Sequence, residues 1–186
     1  VDPFFAYWTT SGEVVFIGGG VIAMEFSHVY ARAGTKVTIL EAMPELLPHM
    51  EEGAVAALRR ESERLGIAVR TGVRVTAVRR AGDRLSVAYS IDGEEHEVRA
   101  DRVINGAGRV ANVQHLDLAA ANVTHDGFAI AVDDHLRSVS NPSVWICGDA
   151  LVGTPQLSPV ATYEGRLVGR NIVSASTRYR HSAPAG

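Results

Sequence analysis

Cysteine and lysine are almost missing from this chain. Its 186 residues include one cysteine, Cys147, and one lysine, Lys36. A single cysteine excludes an internal disulfide, a Cys-x-x-Cys redox pair and a four-thiolate metal site within the chain. A single lysine argues against Schiff-base chemistry and against a Walker-type phosphate loop. Because the first residues show no secretory signal pattern, we also expect a reducing compartment and place the protein in the cytoplasm.

The chain also lacks an excess of positive charge and a long apolar run. It has 18 basic and 21 acidic residues, a net charge of -3, which gives no electrostatic footprint for nucleic acid or an anionic membrane surface. No apolar run approaches the roughly 20 residues of a membrane-spanning helix, and the first residues do not read as a secretory signal. The 7 histidines show no metal-ligand spacing. We expect no nucleic-acid partner, no membrane partner and no metal site.

What the sequence does contain is a regular alternation of strand and helix patterns in its first part. Short β-branched apolar runs stop at glycines or at a charged residue, and helical spacing of apolar residues follows. A strand, a glycine turn, a helix and a second strand within about 30 residues predict a βαβ unit. These elements lie at 13–17, 18–20, 21–33 and 36–40, and the helical pattern uses Ile22, Phe26, Val29 and Tyr30.

The rest of the chain changes in texture. Turn pairs around Gly82 and Asp92-Gly93 separate short alternating segments and indicate an antiparallel meander. A loop-rich region follows and ends in a final helix. The predicted helices are 51–65 and 160–173, and the predicted strands are 67–70, 73–79, 85–89, 96–98, 102–105, 128–132 and 144–147.

The glycine turn carries the pattern Gly18-x-Gly20-x-x-Ala23. Gly18 allows a sharp turn, Gly20 lets a pyrophosphate approach the backbone, and Ala23 keeps the helix close to the strand. The phosphate charge would then meet the N–H groups and the positive dipole at the helix N-terminus. A pattern placed after a strand and at the start of a helix predicts a dinucleotide site.

Glu41 ends the second strand, about 20 residues beyond this turn, where a carboxylate can bind the adenine ribose. It can accept hydrogen bonds from both ribose hydroxyls, and its charge would repel a 2′-phosphate. We therefore predict NAD(H) in preference to NADP(H). An ordinary strand-to-helix turn followed by a surface glutamate is the alternative interpretation. Glu25, in the same helix, can be explained by favourable helix-dipole electrostatics alone.

Five motifs of the chain stand in a fixed order: Gly18-Gly19-Gly20-Val21-Ile22-Ala23-Met24-Glu25, the strand ending on Glu41, Gly108-Arg109-Val110-Ala111-Asn112, Cys147-Gly148-Asp149 and Leu157-Ser158-Pro159-Val160-Ala161. Over nearly all of residues 10–175 their order and spacing resemble the FAD-dependent pyridine nucleotide-disulfide oxidoreductases. That family includes dihydrolipoamide dehydrogenase, glutathione reductase and mercuric reductase. The resemblance implies an α/β fold: a Rossmann-like βαβ domain with a parallel sheet and an antiparallel meander, followed by a partial FAD domain.

The resemblance also implies the domain limits and the site. Residues 1–109 would form the NAD(H)-binding domain, 110–175 a returning segment of the FAD domain, and 176–186 a tail. Glu25 matches a family glutamate near the nicotinamide, and the lysine that usually pairs with it would not be Lys36. Asp149 would bind a flavin ribityl hydroxyl. The implied cofactor-binding residues are Gly18, Gly20, Val21, Ile22, Ala23, Glu41, Gly108, Arg109, Asp149, Pro159, Val160 and Ala161.

Two parts of the family pattern are not found in the sequence. These are the first FAD segment with its redox cysteine pair and the C-terminal dimerisation domain with its His-Glu pair. Cys147 is expected to serve as a small buried apolar group. We expect the isolated chain to be inactive in disulfide reduction, and to bind FAD only when the missing segment is supplied.

Two functions are compatible with these residues. The first is a part of a flavoprotein oxidoreductase that transfers hydride between NADH and FAD; the second is a non-catalytic NAD(H)-binding module or truncated product. A short-chain dehydrogenase is disfavoured because it needs a Tyr-x-x-x-Lys pair, and Lys36 is the only lysine. An exposed sheet edge and apolar surface would favour a homo-oligomer.

Overall fold

The computed structural model of the chain describes residues 12–48 and 50–174. These residues form two compact units, which divide between Gly108 and Arg109. We call the described residues up to Gly108 the N-terminal unit and those from Arg109 onward the C-terminal unit. The tail predicted at 176–186 lies outside the described residues, as do His49 and His181.

A four-stranded parallel sheet forms the base of the N-terminal unit. Its strands are β1 (Glu13–Ile17), β2 (Lys36–Leu40), β3 (Ala68–Arg70) and β7 (Arg102–Asn105), and helices α1 (Val21–Arg32) and α2 (Glu52–Arg64) connect the first three. The strand order is β3-β2-β1-β7, so β2 and β7 lie on opposite sides of β1. The order therefore reverses at β1, and open α/β sheets bind ligands at the carboxyl ends of the strands beside such a reversal.

The second sheet of this unit is an antiparallel meander of β4 (Arg74–Ala81), β5 (Arg84–Ile91) and β6 (Glu94–Ala100). Val87 and Ala100 of the meander pack with Val15 and Leu40 of the parallel sheet. The other face of the parallel sheet buries Phe16 and its neighbours against the two helices. The predicted α/β fold, with a parallel sheet and an antiparallel meander, is thus confirmed.

The face of helix α1 that packs against the core is not the face that its apolar spacing predicts. Ile22 is 49% exposed, Phe26 39% and Val29 56%. The buried face consists of Ala23, Met24, Ser27 and Tyr30. Two overlapping faces of this helix carry apolar residues. The face that includes Ala23 and Ser27 lies closest to the sheet because these two side chains are small.

The C-terminal unit contains one long helix, α3 (Ser158–Ser174), and a single 3₁₀ turn, Gly148–Ala150, among its described residues. Its core gathers apolar side chains from loops and from α3: Ala111, Val113, Leu118, Val123, Ile130, Leu136, Ile146, Leu151, Leu167 and Val168. No helix in the described part of the chain combines the length and the apolar character of a membrane span.

The strands predicted at 128–132 and 144–147 are wrong. Ile130 pairs with His125, whereas Val132, two residues further on, pairs with Ser138, so the run meets two different segments and no ladder forms. Trp145 makes one bridge to Arg137, flanked by hydrogen bonds between 136–138 and 144–146. Apolar runs alone could not distinguish such isolated bridges from a continuous strand.

Candidate functional site

The turn after β1 requires a glycine at its first position. Gly18 has φ +102°, and its N–H donates to the carbonyl of Leu40 at 2.8 Å. A Cβ atom placed on Gly18 would come within 2.7 Å of Ala107 Cα and would overlap the backbone of Gly106. The fold therefore excludes a side chain here, because both the backbone angle and the neighbouring chain forbid one.

Gly20 shows the opposite situation. Its φ of -75° and ψ of 178° are open to any residue, and a Cβ atom placed on it would meet no atom within 4 Å. It is the N-cap residue of α1. Neither backbone strain nor packing accounts for the missing side chain, so the open space in front of Gly20 is where a ligand can approach the helix N-terminus.

The carboxylate of Glu41 is fixed against the same turn. Glu41 is 7% exposed, its Oε2 accepts a hydrogen bond from the N–H of Gly19, and its Oε1 accepts one from the N–H of Met43 at 2.6 Å. Each carboxylate oxygen has more than one acceptor position, so a ribose hydroxyl can still bind. The two backbone donors hold the carboxylate beside Gly18 and Gly20.

A cavity of about 560 Å³ joins these groups at the carboxyl ends of β1 and β2. Of the predicted cofactor-binding residues, it brings together Gly18, Gly20, Glu41 and Gly108. Its wall also includes residues that the motifs did not indicate: Ile17, Leu40, Ala42, Met43, Pro48, Val73, Arg74, Val75, Gly106 and Ala107. The alternation of Val73, Arg74 and Val75 is typical of an ordinary strand and did not indicate that these residues line a cavity.

Ala23 lies beneath the cavity rather than on its wall. Its side chain is fully buried, and a Cβ atom placed on Gly106 would come within 3.0 Å of Ala23 Cβ. This close approach holds α1 against the end of β7. Val21, Ile22 and Glu25 are exposed on α1 and are not part of the cavity wall.

Lys36 is bound at the start of the parallel strands, whereas the cavity lies at their ends. Its Nζ is 2.7 Å from Oε1 of Glu13, and the other carboxylate oxygen of Glu13 contacts Arg84. Hydrogen bonds from these two cations lower the pKa of the Glu13 carboxyl. The single lysine thus belongs to an ion-pair cluster that ties β1 to β2 and to the meander.

In the C-terminal unit, Arg109 and Asp149 form an ion pair. Arg109 Nη1 lies 2.9 Å from Asp149 Oδ2, and Nη2 donates to the carbonyl of Gln156 at 2.8 Å. Both paired side chains are about half exposed, at 48% and 53%. A cavity of about 360 Å³ adjoins Arg109 and includes Phe128 and Gln156 in its wall.

A buried glutamate that the sequence did not indicate anchors this region. Glu164 of α3 is fully buried and accepts a hydrogen bond from the N–H of Gly148 at 2.7 Å. Gly148 has φ +66°, and a Cβ atom placed on it would lie 3.4 Å from Ala161 Cβ. Glu164 thereby fixes the 3₁₀ turn that carries Asp149. Burial, with the charge of Glu164, raises the pKa of the Cys147 thiol.

The remaining predicted residues, Pro159, Val160 and Ala161, lie in the first turn of α3. Pro159 is exposed, while Val160 and Ala161 are half-buried. Within 12–48 and 50–174, no group of three His, Cys, Asp or Glu side chains is arranged to hold a metal ion.

Comparison with known proteins identifies relatives of similar sequence. The chain is 32% identical to dihydrolipoyl dehydrogenase of Haloferax volcanii over 178 residues, which are 94% of this chain and 37% of that protein. It is 36% identical to dihydrolipoyl dehydrogenase of Cupriavidus necator over 159 residues, or 84% and 33% of the two chains. The chain thus spans about a third of the length of these relatives.

Solved structures share the fold. A water-forming NADH oxidase from Lactobacillus brevis, bound to NADH, matches 95% of this chain and 40% of its own, with a TM-score of 0.78 and 24% identity. A ferredoxin reductase from Rhodopseudomonas palustris matches 96% and 45%, with a TM-score of 0.81 and 24% identity. The sequence model of one family, the pyridine nucleotide-disulphide oxidoreductases, matches residues 3–165. The chain therefore belongs to the pyridine nucleotide-disulphide oxidoreductase family.

Proposed function

We propose that the N-terminal unit binds NAD(H) in the cavity at the carboxyl ends of β1 and β2. The observation that carries the proposal is the open space at Gly20, since the fold would accept a side chain there. A diphosphate in that space would meet the N–H groups and the positive dipole end of α1. Gly18 supports the proposal because it gives the chain the bend that exposes this helix end.

The other parts of the cavity suit the other parts of the dinucleotide. Glu41, held by the N–H groups of Gly19 and Met43, would accept hydrogen bonds from the adenine ribose. The apolar wall formed by Pro48, Val73 and Val75 would take the flat adenine base. The groups proposed to bind the diphosphate, the ribose and the base would thus lie in the same order as these parts of the dinucleotide.

We also propose a preference for NAD(H) over NADP(H). Glu41 is the only acidic side chain on the wall of this cavity in the described residues, and a 2′-phosphate would lie against it. Two negative groups in contact repel each other strongly when one is 7% exposed. The preference therefore depends on a single carboxylate.

For the whole protein we propose hydride transfer between NADH and FAD. When bound, FAD supplies the electron-accepting ring, and the residues of this chain bind and orient the cofactors. Asp149, on a turn anchored by Glu164, would accept a ribityl hydroxyl; Val160 and Ala161 would lie near the flavin at the start of α3. Glu25, exposed on α1, would approach the nicotinamide.

A fluorescence titration of the chain with NADH tests the binding proposal. Gly20→Ala should keep the fold and weaken NADH at least about ten-fold, because the new methyl group enters the diphosphate position. Gly165→Ala is the matched control, since a Cβ there also meets nothing within 4 Å but lies in α3. Equal NADH affinity for the Gly20→Ala variant, the control and the unmodified chain would refute the proposal.

The non-catalytic alternative is distinguished by flavin. A non-catalytic module would bind NADH and retain no flavin, whereas an oxidoreductase would bind FAD once its other FAD segment is present. Flavin absorbance that stays with the protein after mixing with FAD and that segment, once free FAD has been removed by gel filtration, decides between the two.

We further propose that the protein is cytoplasmic and self-associates. Exposed apolar side chains on α1 and α3 support self-association, among them Val29 at 56% and Ile172 at 62%. Sedimentation across a range of concentrations would measure the oligomeric state.

A further inference from the structure

Arg74 lies on the wall of the cavity that we propose for NAD(H). It begins β4 and contributes to the cavity wall between Val73 and Val75. The chain just before it is bonded to the loop after β2: the N–H of Val73 donates to the carbonyl of Glu41 at 3.0 Å, and that of Gly72 to Met43 at 2.8 Å. Arg74 therefore lies beside the loop after β2, on the part of the cavity wall that the start of β4 contributes.

Its guanidinium has no protein partner in the part of the chain that the structure describes. Arg74 is exposed and forms neither a hydrogen bond nor an ion pair there. By contrast, Arg59, Arg64 and Arg84 of the same unit each bind a carboxylate. An unpaired arginine on a cavity wall is available to a ligand.

We propose that Arg74 stacks on the adenine base of the bound dinucleotide and contributes to its affinity. The inference rests on the proposed NAD(H) site and adds a residue that recognises the base. A guanidinium is planar and stacks on flat π-systems, which an ammonium does less well. Val73 and Val75 beside it supply apolar contacts, as expected of a wall that receives a base.

The neighbouring carboxylate favours the base over a phosphate as the group that Arg74 contacts. Glu41 lies on the same cavity wall and would repel a phosphate on the ribose. The adenine base carries no charge and is compatible with both side chains. Arg74 would thus raise affinity for every ligand that contains adenosine without favouring a 2′-phosphate.

Titration calorimetry with ADP-ribose and with nicotinamide mononucleotide tests this role. Arg74→Ala should weaken ADP-ribose about two- to five-fold and leave nicotinamide mononucleotide unchanged, since only the former contains adenine. Arg74→Tyr should retain ADP-ribose affinity, because it keeps a planar surface, and Arg74→Lys should not. Arg79→Ala, an exposed arginine on the same strand, is the matched control.

Three results would overturn the inference. They are an Arg74→Ala variant that binds ADP-ribose as Arg79→Ala does, a full rescue by Arg74→Lys, and an equal loss for nicotinamide mononucleotide. Failure of the unmodified chain to bind ADP-ribose or NADH would refute the proposed NAD(H) site itself. The two failures are therefore distinguishable in one set of titrations.

Discussion

The two units of the chain arrange their polar groups in different ways. In the N-terminal unit, strands pair in continuous ladders, and Glu41 is buried beside a cavity that the same unit encloses. In the C-terminal unit, the described strand-type pairing consists of isolated bridges, and the Arg109 and Asp149 side chains are half exposed. One unit has a buried carboxylate on the wall of its cavity, and the other has a half-exposed ion pair next to its cavity.

This difference decides which part of the chain is needed to test each proposed cofactor site. The proposed NAD(H) site draws all its groups from residues up to Gly108, so the N-terminal unit should bind nucleotide by itself. The flavin-binding role proposed for Asp149 depends on a turn that Glu164 holds, and it needs further contacts for affinity. Variants at four positions, with matched controls, test this comparison.

The largest effect is expected at Gly18. Gly18→Ala should lower the free energy of unfolding of the N-terminal unit by about 2–3 kcal/mol, because its positive φ and the Gly106 backbone both exclude a side chain. Gly20→Ala should change stability by less than about 0.5 kcal/mol. Urea unfolding measures both. Similar stability losses for the two variants would show that their backbone environments do not differ as described.

Removal of the buried carboxylate should destabilise the C-terminal unit. Glu164→Ala is expected to cost about 2 kcal/mol, since the N–H of Gly148 loses a charged acceptor, and Glu164→Gln should cost less because its carbonyl can accept. Thermal unfolding compares the two variants. In the Gln variant, Cys147 should also alkylate faster at pH 8, because loss of the charge lowers the thiol pKa. Unchanged alkylation would contradict that electrostatic coupling.

Glu41 should set the cofactor preference from within the N-terminal unit alone. Glu41→Gln is expected to weaken NADH about ten-fold, or roughly 1.4 kcal/mol, and to reduce discrimination against NADPH. Asp149→Asn, which changes a carboxylate of the C-terminal unit, is the control and should leave NADH affinity unchanged. Fluorescence titration gives both dissociation constants. If both substitutions weakened NADH binding equally, the NAD(H) site would not belong to the N-terminal unit alone.

The smallest effect concerns pH and the contact between α1 and α2. His28 Nε2 lies 2.9 Å from Ser62 Oγ, and that hydroxyl donates to the carbonyl of Leu58, so the histidine is the donor. Burial, with the nearby charge of Arg32, lowers the pKa of His28. The unfolded chain therefore takes up a proton near pH 6.5 before the folded chain does, and stability falls as pH drops through the folded pKa.

Urea unfolding between pH 5 and 8 tests this linkage. His28→Gln should flatten the part of the profile just below pH 6.5, because glutamine does not titrate. A profile identical to that of the unmodified chain would exclude His28 as its source.

Much of the N-terminal unit could be predicted because its elements follow local rules. Apolar runs, turn glycines and the Gly18 pattern predicted the strands of both sheets and the glycine turn after β1. For α1 the two sequence signals conflict, since Ile22, Phe26 and Val29 have the spacing of a buried stripe whereas the Gly18 pattern puts Ala23 against the strand. The burial of Ala23 and its close approach to Gly106 show which face meets the sheet.

The residues that escaped prediction act through tertiary contacts. Glu164, in a helix with other polar residues, has the sequence appearance of a solvated position, and its burial depends on the distant N–H of Gly148. Arg74 reaches the cavity wall because the chain from β3 to β4 bonds to the loop after β2. Neither contact leaves a periodic signal in the sequence.

An NMR titration of the ¹⁵N-labelled chain with NADH would locate the bound dinucleotide residue by residue. We predict saturable shifts of the amides of Gly19, Gly20 and Val21 and of residues 106–108, with much smaller changes at Gly148–Ala150. Saturable shifts confined to the C-terminal unit, or none at the glycine turn, would contradict the assignment of the NAD(H) site.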